Sequence, residues 1–152
     1  MTRKLHLAAF QSDFAHNLGS MIRLCACFGV TLDIIEPCGF PLSQKSLKEA
    51  ALDYSDQCEM ILHSDWSEFK ECSKKRRLIL LSTKAKRSLW DFKFNLNDTL
   101  IMGRETKGVP DYVLDQCDSA VTIPMPGGGR SLNVAISAGI AISEATRKLK
   151  FK

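Results

Sequence analysis

Thr99-Leu100-Ile101-Met102-Gly103-Arg104-Glu105-Thr106-Lys107-Gly108 starts with four residues suited to a buried strand and ends in a polar loop bracketed by two glycines. A short apolar run stopped by glycine reads as a strand covered on both faces, opening into a sharply turning loop. Five further runs share this character, at residues 5–10, 31–36, 58–62, 77–82 and 120–123. Between them the apolar spacing changes to three and four residues. Leu18, Met21, Ile22, Cys25 and Phe28 form one such stripe, with Asn17 as a capping residue before it. Ser43 caps a predicted helix reaching about residue 53, and Asp65 one reaching about residue 71. Pro110 opens a short helix to about residue 116, and Ser131 caps a long, mostly apolar one ending near Leu149. Alternation of this kind specifies an α/β domain, with a mainly parallel sheet and helices on both faces.

With 152 residues, 45% apolar and 25% charged, the chain reads as one domain spanning 1–152 that buries a full core. Disordered and low-complexity classes are excluded, and no stretch is apolar enough to span a bilayer. The first ten residues lack the apolar core and cleavage site of a signal peptide, so a cytoplasmic protein is expected. Six cysteines form no CxxC pair and only three histidines accompany them. Metal-ligand spacing is therefore absent, and most of these thiols are expected to be small buried hydrophobes.

Charge is uneven. Residues 1–69 hold five Lys/Arg against nine Asp/Glu, while residues 70–152 hold sixteen against eight. One basic run includes Lys74, Lys75, Arg76, Arg77, Lys84, Lys86 and Arg87, and another comprises Arg147, Lys148, Lys150 and Lys152. Either these are solvated faces and a helix C-terminus, or they form a surface for a polyanion.

In parallel sheets, ligands bind beyond the carboxyl ends of the strands. Three glycine-bearing segments fall there: Asn17-Leu18-Gly19, Gly103 to Gly108, and Pro124-Met125-Pro126-Gly127-Gly128-Gly129-Arg130. Neither GxGxxG nor GxxxxGK[ST] occurs, so the common dinucleotide and phosphate loops are missing. Instead, Asn17-x-Gly19-x-x-x-Arg23, Met102-Gly103-Arg104-Glu105-x-x-Gly108 and Ile123-Pro124-Met125 followed by Ser131-Leu132-Asn133-Val134-Ala135 resemble the three ordered motifs of the SpoU branch of the SPOUT methyltransferases. The resemblance covers nearly the whole chain. Ile35-Glu36-Pro37-Cys38-Gly39-Phe40 and Ala51-Leu52-Asp53-Tyr54 are most similar to the small tRNA wobble-nucleotide ribose methyltransferases, the TrmL-like group. The chain departs from their proline-rich approach to the first motif, having Asp13-Phe14-Ala15-His16 there.

The resemblance implies transfer of a methyl group from S-adenosylmethionine to a ribose 2′-hydroxyl of tRNA, leaving S-adenosylhomocysteine. It also implies a C-terminal trefoil knot and a homodimer that shares the RNA site, with no metal. By the same resemblance Arg23 is catalytic, with Asn17, Ser131 and Asn133 beside it. Leu81, Ser82, Thr83, Gly103, Ile123, Met125, Ser131 and Leu132 are expected around the cofactor, Gly103 by letting it lie against the main chain. Such chemistry needs chiefly positioning and stabilisation of charge on oxygen. A guanidinium stays charged, so Arg23 suits orientation of the acceptor and stabilisation of the alkoxide rather than proton abstraction. Arg23, Arg104, Lys107 and Arg130 are candidates for RNA phosphates. Glu105 is expected to orient a neighbouring arginine or to bond to loop amides. Ser131, Ala135, Gly139 and Ser143 give the last helix a face of small residues, packed on the sheet or knot or against a partner subunit. Competing readings are the same chemistry on ribosomal RNA or another tRNA position, a noncatalytic RNA-binding module, and an unrelated nucleotide-binding enzyme.

Overall fold

The structure, a computed structural model, describes residues 4–149. Lys150 and Lys152 of the second basic cluster therefore lie outside the described residues. Six strands form one sheet: β1 (His6–Phe10), β2 (Thr31–Ile35), β3 (Met60–His63), β4 (Leu78–Leu81), β5 (Thr99–Met102) and β6 (Ser119–Val121). Their order is β3-β2-β1-β5-β4-β6, and every pairing is parallel. Five α-helices connect them: α1 (Ala15–Phe28), α2 (Gln44–Ala51), α3 (Trp66–Cys72), α4 (Asp111–Asp115) and α5 (Val134–Leu149).

Alternating side chains feed two cores, as a sheet covered on both faces requires. Leu7, Ala9, Leu32, Ile34 and Leu100 face α1, α2 and α5. Ala8, Phe10, Ile35, Leu80 and Ile101 face α3 and α4 together with Trp66, Phe69 and Val113. Each large side chain fully buried here contributes about 1.5–3 kcal/mol. The chain builds outward from β1 in one direction through β2 and β3, and on the other side places β5 next to β1. The order thus switches between β1 and β5, the kind of position beyond whose strand ends open α/β sheets bind their ligands.

Several expectations shift. Strand β3 begins at Met60 rather than Cys58 and is an edge strand with Ile61 and Leu62 exposed. Helix α2 stops at Ala51, and a 3-10 segment, Leu52–Asp56, takes over. Asn17 is not a cap, because α1 starts at Ala15 with Phe14 in the capping position. Ser131 is not a cap either: Asn133 Oδ1 accepts the N–H groups of Ala135 and Ile136, so the cap lies at residue 133 rather than 131 and α5 begins at Val134. Gly19 belongs to the helix rather than to a ligand loop. A Cβ there would sit 2.2 Å from the Ala50 carbonyl oxygen, so glycine is what lets α1 and α2 touch. Of the six cysteines only Cys25 and Cys58 are buried, Cys27 and Cys72 are exposed, and all are free thiols.

Candidate active site

Strands β1 and β5 lie side by side, with Ala9 in register with Met102, so their carboxyl ends deliver residues 11–14 and 103–109 to one place. Glu105 joins them. Its Oε1 accepts the Asp13 N–H at 3.2 Å, and its Oε2 accepts the Phe14 N–H at 3.0 Å and Asn17 Nδ2 at 3.2 Å. A carboxylate on these free N–H groups also suits the positive end of the α1 dipole, which explains how the helix manages without a side-chain cap. Asp13 returns the contact: its Oδ2 accepts Thr106 N–H at 3.0 Å and Thr106 Oγ1 at 2.8 Å. Burial raises the Asp13 pKa, but the Thr106 hydrogen bonds and the charges of Arg104 and Lys107 more than offset it and hold the carboxyl below its usual value.

The third segment enters through Asn17. Its Oδ1 accepts Asn133 Nδ2 at 3.0 Å, and Asn133 in turn caps α5. One continuous hydrogen-bonded chain, Glu105–Asn17–Asn133, therefore ties together the three motifs read from the sequence. Asn17 is 4% exposed and Asn133 is exposed, so the chain runs from the protein interior to the surface.

The other expected residues lie around this chain in different ways. Leu81 ends β4, and Ser82 N–H bonds to the Val121 carbonyl, setting the segments after β4 and β6 side by side. Ile123 and Met125 are half-buried; Thr83, Arg130, Ser131 and Leu132 are exposed. Gly103 has a reason of its own. A Cβ there would be 2.9 Å from Gly108 Cα, and Arg104 and Gly108 exchange backbone hydrogen bonds at 2.9 and 3.0 Å. The glycine closes the loop on itself. Lys107 is exposed, but Arg104 is half-buried, with its guanidinium 5.5 Å from the Phe10 ring centre.

Arg23 stands apart. Six residues beyond Asn17 on α1, it lies about 9 Å along the axis and roughly a third of a turn away. It is exposed, and its guanidinium covers the Tyr54 ring at 4.7 Å. The hydrogen bonds of Asn17, Glu105 and Asn133 go to other groups. Burial pushes the Cys38 and Cys117 thiols up to about 11, so neither is a thiolate nucleophile at neutral pH. Among the described residues no cluster of three His, Cys, Asp or Glu side chains could hold a metal.

Residues 4–143 match the family described as the SpoU rRNA Methylase family. The chain belongs to this SpoU family. A relative from Beijerinckia indica, named tRNA (cytidine(34)-2'-O)-methyltransferase, is 45% identical over 94% of this chain and 91% of its own length. The Escherichia coli K12 protein of the same name is 34% identical over 97% and 95%. A solved structure concerned with the 2-OH methylation of C/U34 on tRNA superposes with a TM-score of 0.90 at 37% identity, covering 97% of both chains. The Streptomyces viridochromogenes SpoU methyltransferase AviRb, in complex with AdoMet, shares the fold at a TM-score of 0.88, with 22% identity over 99% of this chain and 62% of its own.

Two features of this SpoU chain have little local signal in the sequence. Asp13 clasps Thr106, and nothing local marks an aspartate whose partner is 93 residues away. A second is the buried cluster around Asp33, whose one signal is a charged residue inside Thr31-Leu32-Asp33-Ile34-Ile35.

Proposed function

We propose that this chain is an S-adenosylmethionine-dependent tRNA 2′-O-methyltransferase acting on the ribose of cytidine or uridine 34, the wobble position, and releasing S-adenosylhomocysteine. The Glu105–Asn17–Asn133 chain carries this reading, because it assembles all three motif segments into one site. The names of the relatives from Beijerinckia indica and Escherichia coli support the nucleotide.

The residues at the strand ends suit the donor. Leu81, Ile123 and Met125 are half-buried surfaces for a flat purine, and a Cβ at Gly127 or Gly128 meets nothing within 4 Å, which leaves room. Ser82, Thr83, Ser131 and Leu132 complete this wall, with Gly103 at its base. When bound, S-adenosylmethionine supplies an electrophilic methyl group. The protein's task is then to align the 2′-oxygen and stabilise charge on it as its proton leaves. Asn17 and Asn133, held by Glu105, fix the shape of the site, and Ser131 offers a hydroxyl at its edge. Arg23 orients the acceptor and stabilises the alkoxide.

In this reading the enzyme is a cytoplasmic homodimer that shares its RNA site between subunits. Arg23, held on another face of α1 from Asn17, serves that shared site. Three observations support the dimer. A Cβ at Gly139 meets nothing within 4 Å, so this part of the small-residue face of α5 does not pack inside its own subunit. Ile136 and Trp90 are exposed beside it. They line a cavity of about 450 Å³ together with Gly139, Ile140 and Ser143. The C-terminal knot is part of the same proposal; β6 lies outside β4 while α5 returns to pack on α1 and β5. Arg130, Lys107 and Arg104 face RNA phosphates.

The test is to incubate the protein with labelled cofactor and total tRNA and map the product by mass spectrometry. A 2′-O-methyl group at nucleotide 34 is expected. Methylation only at another position, or none by a protein that binds the cofactor, overturns the assignment. In sedimentation the protein should run at twice the 17.0 kDa of one chain.

A further inference from the structure

The residues just before Asn17 carry two exposed aromatic rings, Phe14 and His16. Phe14 is 45% exposed, and its ring is stacked on that of His16 with centres 5.6 Å apart and planes 20° from parallel. Single exposed apolar side chains are ordinary. This pair is not, for three reasons.

Its backbone is clamped, because the Phe14 N–H donates to Glu105 Oε2 at 3.0 Å and so fixes the ring at the rim of the Glu105–Asn17–Asn133 chain. The two rings already form a flat surface, so little ordering is needed when a third ring stacks on it. An exposed cation, Lys107, stands near the pair as well. Thr106 ties the loop bearing Arg104 and Lys107 to Asp13, the residue before Phe14. The carboxylate oxygens of Asp13 and Glu105 are turned onto Thr106, backbone N–H groups and Asn17.

We propose that Phe14 and His16 form a stacking platform for an unpaired base of the tRNA anticodon loop, with Lys107 beside it for the adjoining phosphate. Unstacked bases present a π-face that aromatic side chains recognise, whereas paired bases do not. The platform rests on the tRNA-methylation reading and deepens it by stating how the loop is held.

The experiment compares Phe14→Ala and Phe14→Trp with the wild type, using full-length tRNA as methyl acceptor and an anticodon stem-loop with 2-aminopurine in its loop as binding probe. Phe14→Ala should raise the KM for tRNA about tenfold, within the range for losing one base–aromatic stack. Its kcat, cofactor affinity and melting temperature should match the wild type. Phe14→Trp should restore the KM, and quenching of 2-aminopurine should be seen with wild type and Phe14→Trp but not with Phe14→Ala. A Phe14→Ala enzyme with KM within twofold of wild type and the same quenching overturns the platform while leaving tRNA methylation standing. Equal losses in both variants overturn it too. A wild-type protein that methylates no tRNA overturns both.

Discussion

Two polar networks occupy the same sheet and are built from similar groups, yet they differ in what they leave free. Around Asp33 on β2, side chains from β1, from β3 and from the turn before β4 close in. His63 Nε2 lies 2.7 Å from its Oδ1, while His6 Nδ1 at 3.0 Å and Arg76 Nη1 at 2.9 Å lie against its Oδ2. Arg76 Nη1 also reaches Thr99 Oγ1 at 3.0 Å, and its guanidinium covers the Phe69 ring. Asp33 has no exposed surface. Burial pushes its pKa up, but hydrogen bonds from His6, Arg76 and His63 and the Arg76 charge reverse this and bring it down to about 2. The Glu105–Asn17–Asn133 chain is instead open at one end, where exposed Asn133 and Ser131 meet solvent. A network closed over its central carboxylate serves to hold strands together. One that surfaces at a switch point in the strand order can also meet a substrate.

Substitutions can break this contrast, and the largest effect should come from the sealed network. Asp33→Ala leaves Arg76 buried without its counter-charge, which should cost about 3–5 kcal/mol of stability in urea unfolding. Methyl transfer per folded molecule should not change. A loss below about 1 kcal/mol would mean that the cluster is not a structural tie.

Arg23→Ala should do the opposite. Turnover should fall roughly 10²–10³-fold, as for loss of one charge-stabilising donor. Because Arg23 is exposed, stability should stay within about 0.5 kcal/mol of wild type. Near-normal turnover removes Arg23 from the mechanism.

Acid sharpens the comparison further. The folded pKa of Asp33 lies below its ordinary value, so its stabilisation is present above about pH 4 and fades as pH falls through about 2. That contribution is about 2 kcal/mol. The stability gap between wild type and Asp33→Asn should therefore close between pH 4 and 2. A gap that persists below pH 2 would assign the effect to packing.

The smallest effect belongs to the rim. RNA affinity should weaken steeply with salt, and Lys107→Ala should lower the magnitude of the log–log salt slope by about one. An unchanged slope takes Lys107 off the phosphate path.

Much of this was legible in the chain. Periodicities of two and of three to four residues are local properties, so six strands, the capping roles of Ser43 and Asp65, and the three motif segments could be read directly. The motifs also pointed to the right family. The helix starts differ from the expected ones at Asn17 and Ser131 for two reasons: α1 is satisfied from a distance by Glu105, and α5 is capped by Asn133, two residues past Ser131.

What the amino-acid order could not convey is which distant groups meet. Asn17 and Glu105 are 88 residues apart, and Asn17 and Asn133 are 116 apart. Their contact follows from β5 lying beside β1, a choice made by packing two apolar faces across the whole sheet. The same packing sealed Asp33 inside, brought Phe14 to the rim, and turned Arg23 toward Tyr54. Local pattern specifies the elements because each residue's φ, ψ and facing depend on near neighbours. The site exists only where the ends of non-consecutive strands coincide, and that is a property of the assembled sheet.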